Sequence, residues 1–205
     1  MIVISKLNKS FGEHILFKDF DLTVESGEFI VILGESGCGK TTLLNMIGGI
    51  EKYDSGSIIA DGFDVGNKKT MLDYYKNEVG FLFQNFALID NKTVYENLNI
   101  VKKDAHTDLS SDEALEYAGL KGYGERKVYE LSGGEQQRVA LARIMLKKCN
   151  LVLADEPTGS LDRKNADGVI DILKDMNSNG KTIIMVTHNN DYSAIGRSII
   201  LNKME

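Results

Sequence analysis

Nine residues, 34–42, constrain this chain more than any other stretch: Gly34, Glu35, Ser36, Gly37, Cys38, Gly39, Lys40, Thr41 and Thr42. They follow the apolar run 29–33 and precede the helix-like run 43–47, so they sit at a strand-to-helix turn. The three glycines leave backbone N–H groups free to wrap a phosphate, because no Cβ blocks close approach or positive φ. The helix that follows aims its positive end at the same phosphate, while Lys40 adds a mobile charge and Thr41 a hydroxyl suited to Mg²⁺. A nucleotide triphosphate is the ligand such a loop is built to hold.

The remaining pattern supplies a frame for that loop. Strands are expected at 1–11 and 14–24, joined at Gly12-Glu13 as an antiparallel hairpin, and then at 29–33, 57–60, 79–83, 151–154 and 183–186. Helices are expected at 43–47, 93–101, 111–120, 133–148 and 164–176. Strands that alternate with helices imply a three-layer α/β core, and the continuous apolar character of 29–33 implies a parallel strand buried on both faces. The expected fold class is therefore α/β with a mostly parallel sheet, opened by an antiparallel β subdomain and interrupted by a helical insert at about 86–148. One domain, 1–205, accounts for the whole chain.

Two further features belong on the wall opposite the glycine loop. Asp155 and Glu156 end an apolar strand, where Asp155 suits a Mg²⁺ shell and Glu156 the polarising of an attacking water. Leu-Ser-Gly-Gly-Glu-Gln-Gln-Arg, 131–138, opens a second helix on glycines, again a phosphate-binding device.

With these motifs in order, the chain resembles the nucleotide-binding subunits of ABC transporters over essentially its whole length. Residues 34–41 are similar to the Walker A loop, Gln84 to the Q-loop glutamine, 131–138 to the signature and 151–156 to Walker B. Ser160-Leu161-Asp162 resembles the D-loop and His188 the switch histidine. The resemblance implies a P-loop NTPase core that takes ATP and Mg²⁺. It implies catalytic roles for Glu156, His188 and Gln84, metal-binding roles for Thr41, Gln84 and Asp155, and an adenine-stacking role for Phe11, with Phe17 and Phe20 expected in the core. It also implies a homodimer, in which Ser132, Gly133, Gly134 and Asp162 complete a nucleotide site, the 132–134 turn facing the partner's loop. Glu135, Tyr129 and Cys149 depart from the residues usual at those positions.

Segments 154–162 and 131–143 are similar to the branch that serves macrolide, lipoprotein and antimicrobial-peptide systems and cell-division subunits of the FtsE type. That likeness implies a separate integral-membrane permease, with export of a peptide, drug or lipid-like substrate. The alternative is ATP-driven mechanotransmission or signalling that moves no substrate. The groove beside Gln84 and residues 86–95 are expected to meet the membrane partner.

Composition narrows the setting. A formal charge of -6 without a basic block argues against nucleic acid as a partner. No apolar run is long enough to span a bilayer and the first residues lack a signal-peptide pattern, so the chain is expected to be neither secreted nor self-anchored. It ends soon after 199–201, where the expectation is neither a regulatory domain nor a fused permease. Two cysteines without metal-ligand spacing fit a reducing cytoplasm, with the chain peripheral on the inner face of the membrane through its permease. Cys38, inside the phosphate loop, is expected to lean toward thiolate and to block ATPase activity when alkylated, with Mg-ATP protecting it.

Overall fold

A computed structural model describes residues 1–203. The chain opens with β1 (Ile2–Phe11), β2 (His14–Val24) and β3 (Phe29–Gly34), then α1 (Lys40–Ile47), β4 (Ser55–Ala60) and β5 (Phe63–Asp64). Next come α2 (Met71–Asn77), β6 (Val79–Leu82), α3 (Val94–Leu98), α4 (Ser111–Tyr117) and α5 (Gly133–Met145). It closes with β7 (Leu151–Asp155), α6 (Arg163–Ser178), β8 (Thr182–Val186) and β9 (Arg197–Leu201).

Two sheets form. Four antiparallel strands stand in the order β2-β1-β4-β5, and five strands, all parallel, in the order β6-β7-β8-β3-β9. The continuous apolar runs are explained by alternation between two packed faces. Ile30, Ile32, Leu151, Leu153, Ile184 and Val186 point to a cluster shared with α1 and with the inner face of the antiparallel sheet. Val31, Leu33, Val152, Ala154, Ile183 and Met185 point the other way, onto α5 and α6. A third cluster joins Val94, Leu98, Ala114 and Leu115 to Val139 and Ala142 on another side of α5. One helix thus packs against both the parallel sheet and the helical layer.

Helix starts are written locally. Thr93, Ser110 and Ser132 each accept from the N–H three residues on, and Glu96, Glu113 and Glu135 bond back to the cap N–H. Boundaries differ from the sequence expectations where turns cut in. The helix expected at 93–101 spans Val94–Leu98, and the one expected at 111–120 stops at Tyr117, with Gly119 at φ +68° behind it. The strand expected from 57 starts at Ser55, because Asn8 of β1 pairs with it. Helix α2 has no sequence expectation: Tyr74 is its one buried residue, so no apolar repeat exists to be read.

Glu78, just after α2, is buried at 7 % exposure and accepts from the Asn150 side-chain amide at 2.9 Å. Burial is the main reason its carboxyl titrates above the usual range; the Asn150 bond opposes this, and the Asp61 carboxyl beside it adds to it. A carboxyl raised in the folded state holds its stability contribution below the ordinary Glu pKa and loses it as pH climbs through the raised value. Glu78→Gln keeps the acceptor for Asn150 and offers Asp61 a donor. We expect its melting temperature at pH 7.5 to exceed wild type by about 2–4 °C, the shift that about 1 kcal/mol gives in a chain of this size. The gain should shrink toward pH 4.5, and an equal gain at both pH values would remove the titration as its cause.

Candidate nucleotide site

Three neighbouring strand ends build the site. Strands β7, β8 and β3 lie side by side and parallel, so the loop 34–39, the pair Asp155-Glu156 and the pair Thr187-His188 leave the sheet at one edge. This is the place where open parallel sheets bind ligands.

The glycines are required by contact as well as by φ. A Cβ on Gly34 would overlap the Leu201 carbonyl and stand 2.6 Å from Cys38 Sγ, and one on Gly39, at φ +98°, would meet the Phe17 ring at 3.0 Å. Within this turn the Lys40 ammonium donates to the carbonyls of Gly34 at 2.7 Å and Glu35 at 3.0 Å, with the residue only 8 % exposed. Glu35, Ser36 and Gly37 form the exposed tip, and Thr42 is half-buried in the first turn of α1.

Thr41 Oγ1 donates to Asp155 Oδ1 at 2.9 Å. Burial raises the Asp155 carboxyl; the Thr41 bond and the Lys40 charge pull it down, and the Glu156 charge pushes it up. A hydroxyl and a carboxylate in contact are hard oxygen donors of the kind Mg²⁺ takes alongside substrate phosphates, and a cation relieves the cost of burying Asp155. The residues present fit that ion. Gln84, expected in the same shell, is exposed just beyond β6.

Next along the chain, Glu156 Oε1 lies 3.0 Å from His188 Nδ1 and its Oε2 accepts from Thr187 Oγ1 at 3.2 Å. Glu156 adopts φ +43°, a left-handed conformation that costs a residue with a Cβ, and such strain collects at functional positions. Thr187, buried at 1 % exposure, has no place in the sequence reading. Its only signal there is its position after an apolar strand and before His188.

Cys38 corrects an expectation. Its side chain is 2 % exposed and belongs to the apolar cluster beneath the loop, so the thiol faces the core and not the phosphate side. The ready alkylation expected from its place in the loop does not hold for this fold. Phe17 is buried and Phe20 half-buried, with their rings 5.2 Å apart, while Phe11 at the end of β1 is 52 % exposed.

The second glycine-opened helix stands apart from this group. Ser132 bonds Glu135 and makes no hydrogen bond to the 34–42 loop among the described residues; its backbone N–H, above all, holds the Glu135 carboxyl below the usual range. A Cβ on Gly133 would approach Phe86 at 3.9 Å, and one on Gly134 would collide with Asn165. Asp162 caps α6, accepting from the Asn165 N–H at 3.0 Å. Two ties join α5 to the segment after β7. The fully buried Gln137 donates to the Pro157 carbonyl at 2.9 Å, and Arg138 donates to Asn165 Oδ1 at 2.6 Å. Farther along α5, the Arg143 guanidinium donates to the carbonyls of Ala87 at 2.6 Å and Phe86 at 3.0 Å, both residues at positive φ. Arg143 thereby fixes the turn that follows Gln84, a role the sequence reading missed because nothing local marks it.

Comparison with known proteins agrees with this geometry. The ABC transporter family description matches residues 17–159. The macrolide export ATP-binding/permease protein MacB of Mannheimia succiniciproducens is 38 % identical over 98 % of this chain, which spans 33 % of that protein. The uncharacterized ABC transporter ATP-binding protein YvrO of Bacillus subtilis is 37 % identical over 93 % of this chain and 88 % of its own length. The spermidine/putrescine import ATP-binding protein PotA of Haemophilus influenzae is 38 % identical over 93 % of this chain, which spans 52 % of PotA. Among solved structures, a dimeric post-hydrolysis state of the ATP-binding cassette MJ0796 bound to ADP and Pi superposes with a TM-score of 0.85 at 31 % identity, covering 100 % of this chain and 97 % of that one.

Proposed function

The chain belongs to the ABC transporter family, and from that premise we propose that it hydrolyses ATP to power a membrane permease carried on a separate chain. The observation that carries this reading is the convergence, at one sheet edge, of Lys40, the Thr41–Asp155 pair and the Glu156–His188 pair. Lys40 and the loop N–H groups hold the phosphates. Glu156, oriented by Thr187 and His188, takes the proton of the attacking water as its oxygen bonds the γ-phosphorus and the bond to the β-phosphate's bridging oxygen breaks, leaving ADP and phosphate. Thr41 and Asp155, with Gln84 at hand, would hold Mg²⁺, which would neutralise charge on the phosphate oxygens.

Residues 1–205 act as one cassette, with 86–148 as its helical arm, and two copies work as a pair. In that pair Ser132, Gly133 and Gly134 of each face the other's phosphate loop, which accounts for a helix start that, among the described residues, makes no hydrogen bond to the phosphate loop of its own chain. The dimeric state of the MJ0796 structure supports this assembly. The cassette sits on the cytoplasmic face of the membrane through its permease, and no helix among the described residues is long and apolar enough to cross on its own.

A groove of about 550 Å³ between α2, β6 and the helical arm is the docking place for that permease. Leu72, Tyr75, Phe81, Phe83 and Ile100 give it an apolar floor, and Arg143 links it to the turn after Gln84. Leu72 is 80 % exposed and Ile100 51 %, which costs free energy unless a partner covers them. Export of a peptide, drug or lipid-like substrate is the direction we favour, and the likeness to MacB, a macrolide export protein, supports it. The likeness to PotA favours a second reading, import.

The test is a pull-down from detergent-solubilised native membranes. We expect the cassette to recover a polytopic protein, Leu72→Asp and Ile100→Asp to reduce that recovery about tenfold, and nucleotide affinity to stay within about twofold. Full recovery by both variants would move the docking surface elsewhere. The gene neighbourhood of the captured permease, with or without an extracellular solute-binding protein, separates import from export.

A further inference from the structure

We take Phe11, to which the resemblance to ABC transporter subunits gives an adenine-stacking role, as the platform for the nucleotide base, and the inference here rests on that assignment. One face of that ring is already taken. The Lys9 ammonium lies 4.3 Å from the ring centroid, and Lys9 is only 6 % exposed although it carries a charge. A charge buried to that extent needs partners, and it has them in Glu51 Oε1 at 2.7 Å and the Lys52 carbonyl at 2.8 Å. An ammonium has three donors. Two are spent on the segment that leaves α1, and the third side of the group is the Phe11 ring.

The neighbouring contacts fix this arrangement relative to the phosphates. Lys9 pairs across the hairpin with Phe17, whose ring borders Gly39, so a single cross-strand neighbour stands between the strand position that carries the ammonium and the phosphate loop. One residue on, the N–H and hydroxyl of Ser10 both donate to Asp54 Oδ2, at 2.7 and 2.8 Å. The hairpin tip is therefore clamped to the α1–β4 connection at two successive residues, and Phe11, with half its surface open, follows at once.

We infer that Lys9 is a positioning residue for the purine base. It pins the Phe11 ring from behind and leaves one free face at a fixed distance from the phosphate loop. A ring already held loses little freedom when a base stacks on it, and a cation on its far side draws π density away from the stacking face. The contribution falls on the base alone, since the triphosphate is held by other groups.

Isothermal titration of the intact chain with ATP and with inorganic tripolyphosphate tests this. Phe11→Ala is expected to weaken ATP binding about tenfold. Lys9→Met should weaken it about three- to tenfold, and tripolyphosphate affinity should hold within about twofold for both. Lys9→Arg, which keeps a cation behind the ring, should recover most of the loss. If Lys9→Met binds ATP as wild type does while Phe11→Ala is impaired, the platform stands and the role of Lys9 is refuted. If Lys9→Met loses ATP and tripolyphosphate equally, Lys9 only supports the fold. If Phe11→Ala leaves ATP unchanged, the platform reading goes, and this inference with it. Should Lys9→Met fail to fold, Glu51→Gln, which loosens the ammonium, is expected to show a smaller loss of about twofold to threefold, again for ATP only; equal affinity for ATP would refute the positioning role.

Discussion

Replacing Glu156 with glutamine is expected to lower steady-state ATP turnover by about 10²- to 10⁴-fold, the usual worth of a positioned general base. Glutamine has the size of glutamate, and its carbonyl accepts from Thr187 in place of Oε2, so the packing at the end of β7 survives. What disappears is the negative oxygen 3.0 Å from His188 Nδ1, the atom proposed to take the water's proton. The change does not touch Lys40 and the loop, the proposed holders of the phosphates, so ATP affinity should stay within about twofold. Phosphate release measured beside equilibrium nucleotide binding checks both halves, and size-exclusion chromatography with ATP should show an accumulated pair. Turnover above about one tenth of wild type would assign proton removal to another group.

Lys40→Ala is expected to weaken ATP binding about 100-fold, in line with the loss of charged hydrogen bonds worth about 1.5–3 kcal/mol. The residue is almost fully covered and its ammonium spans the loop to the Gly34 and Glu35 carbonyls, so the substitution removes a charge and an internal brace together. Arginine should not rescue it, because a planar guanidinium does not fit where a compact ammonium is enclosed by backbone. Here ATP and tripolyphosphate should be lost in parallel, the opposite of the pattern expected for Lys9→Met. Titrations that show ATP loss without tripolyphosphate loss would detach Lys40 from the phosphates.

The sequence was most legible where one residue's requirement shows in its neighbours. The glycine spacing of 34–39, the alternation hidden in three continuous apolar runs, and the Ser/Thr-x-x-Glu starts of α3, α4 and α5 each state a local rule that the fold obeys. Helix α2 and the edge strand β9 obey no such rule, being half-exposed elements held by what they lie against. Cys38 shows a second limit. Its place in a phosphate loop suggests an accessible thiol, yet side-chain direction depends on Gly34 and Leu201, the latter 163 positions away. Lys9, Gln137 and Arg143 escaped for a similar reason, because their partners lie on other elements and a charged or amide side chain reads as surface until those partners are known.

The backbone at Glu156 has a bearing on protein engineering. Its φ of +43° suits glycine or asparagine better than glutamate, so the folded state carries a local cost, on the order of 1 kcal/mol, to keep a carboxylate there. A library selected for thermal endurance alone would favour glycine or asparagine at position 156 and harvest sturdy but inert proteins. At this position robustness and turnover pull against each other, so any screen for improved variants has to score both.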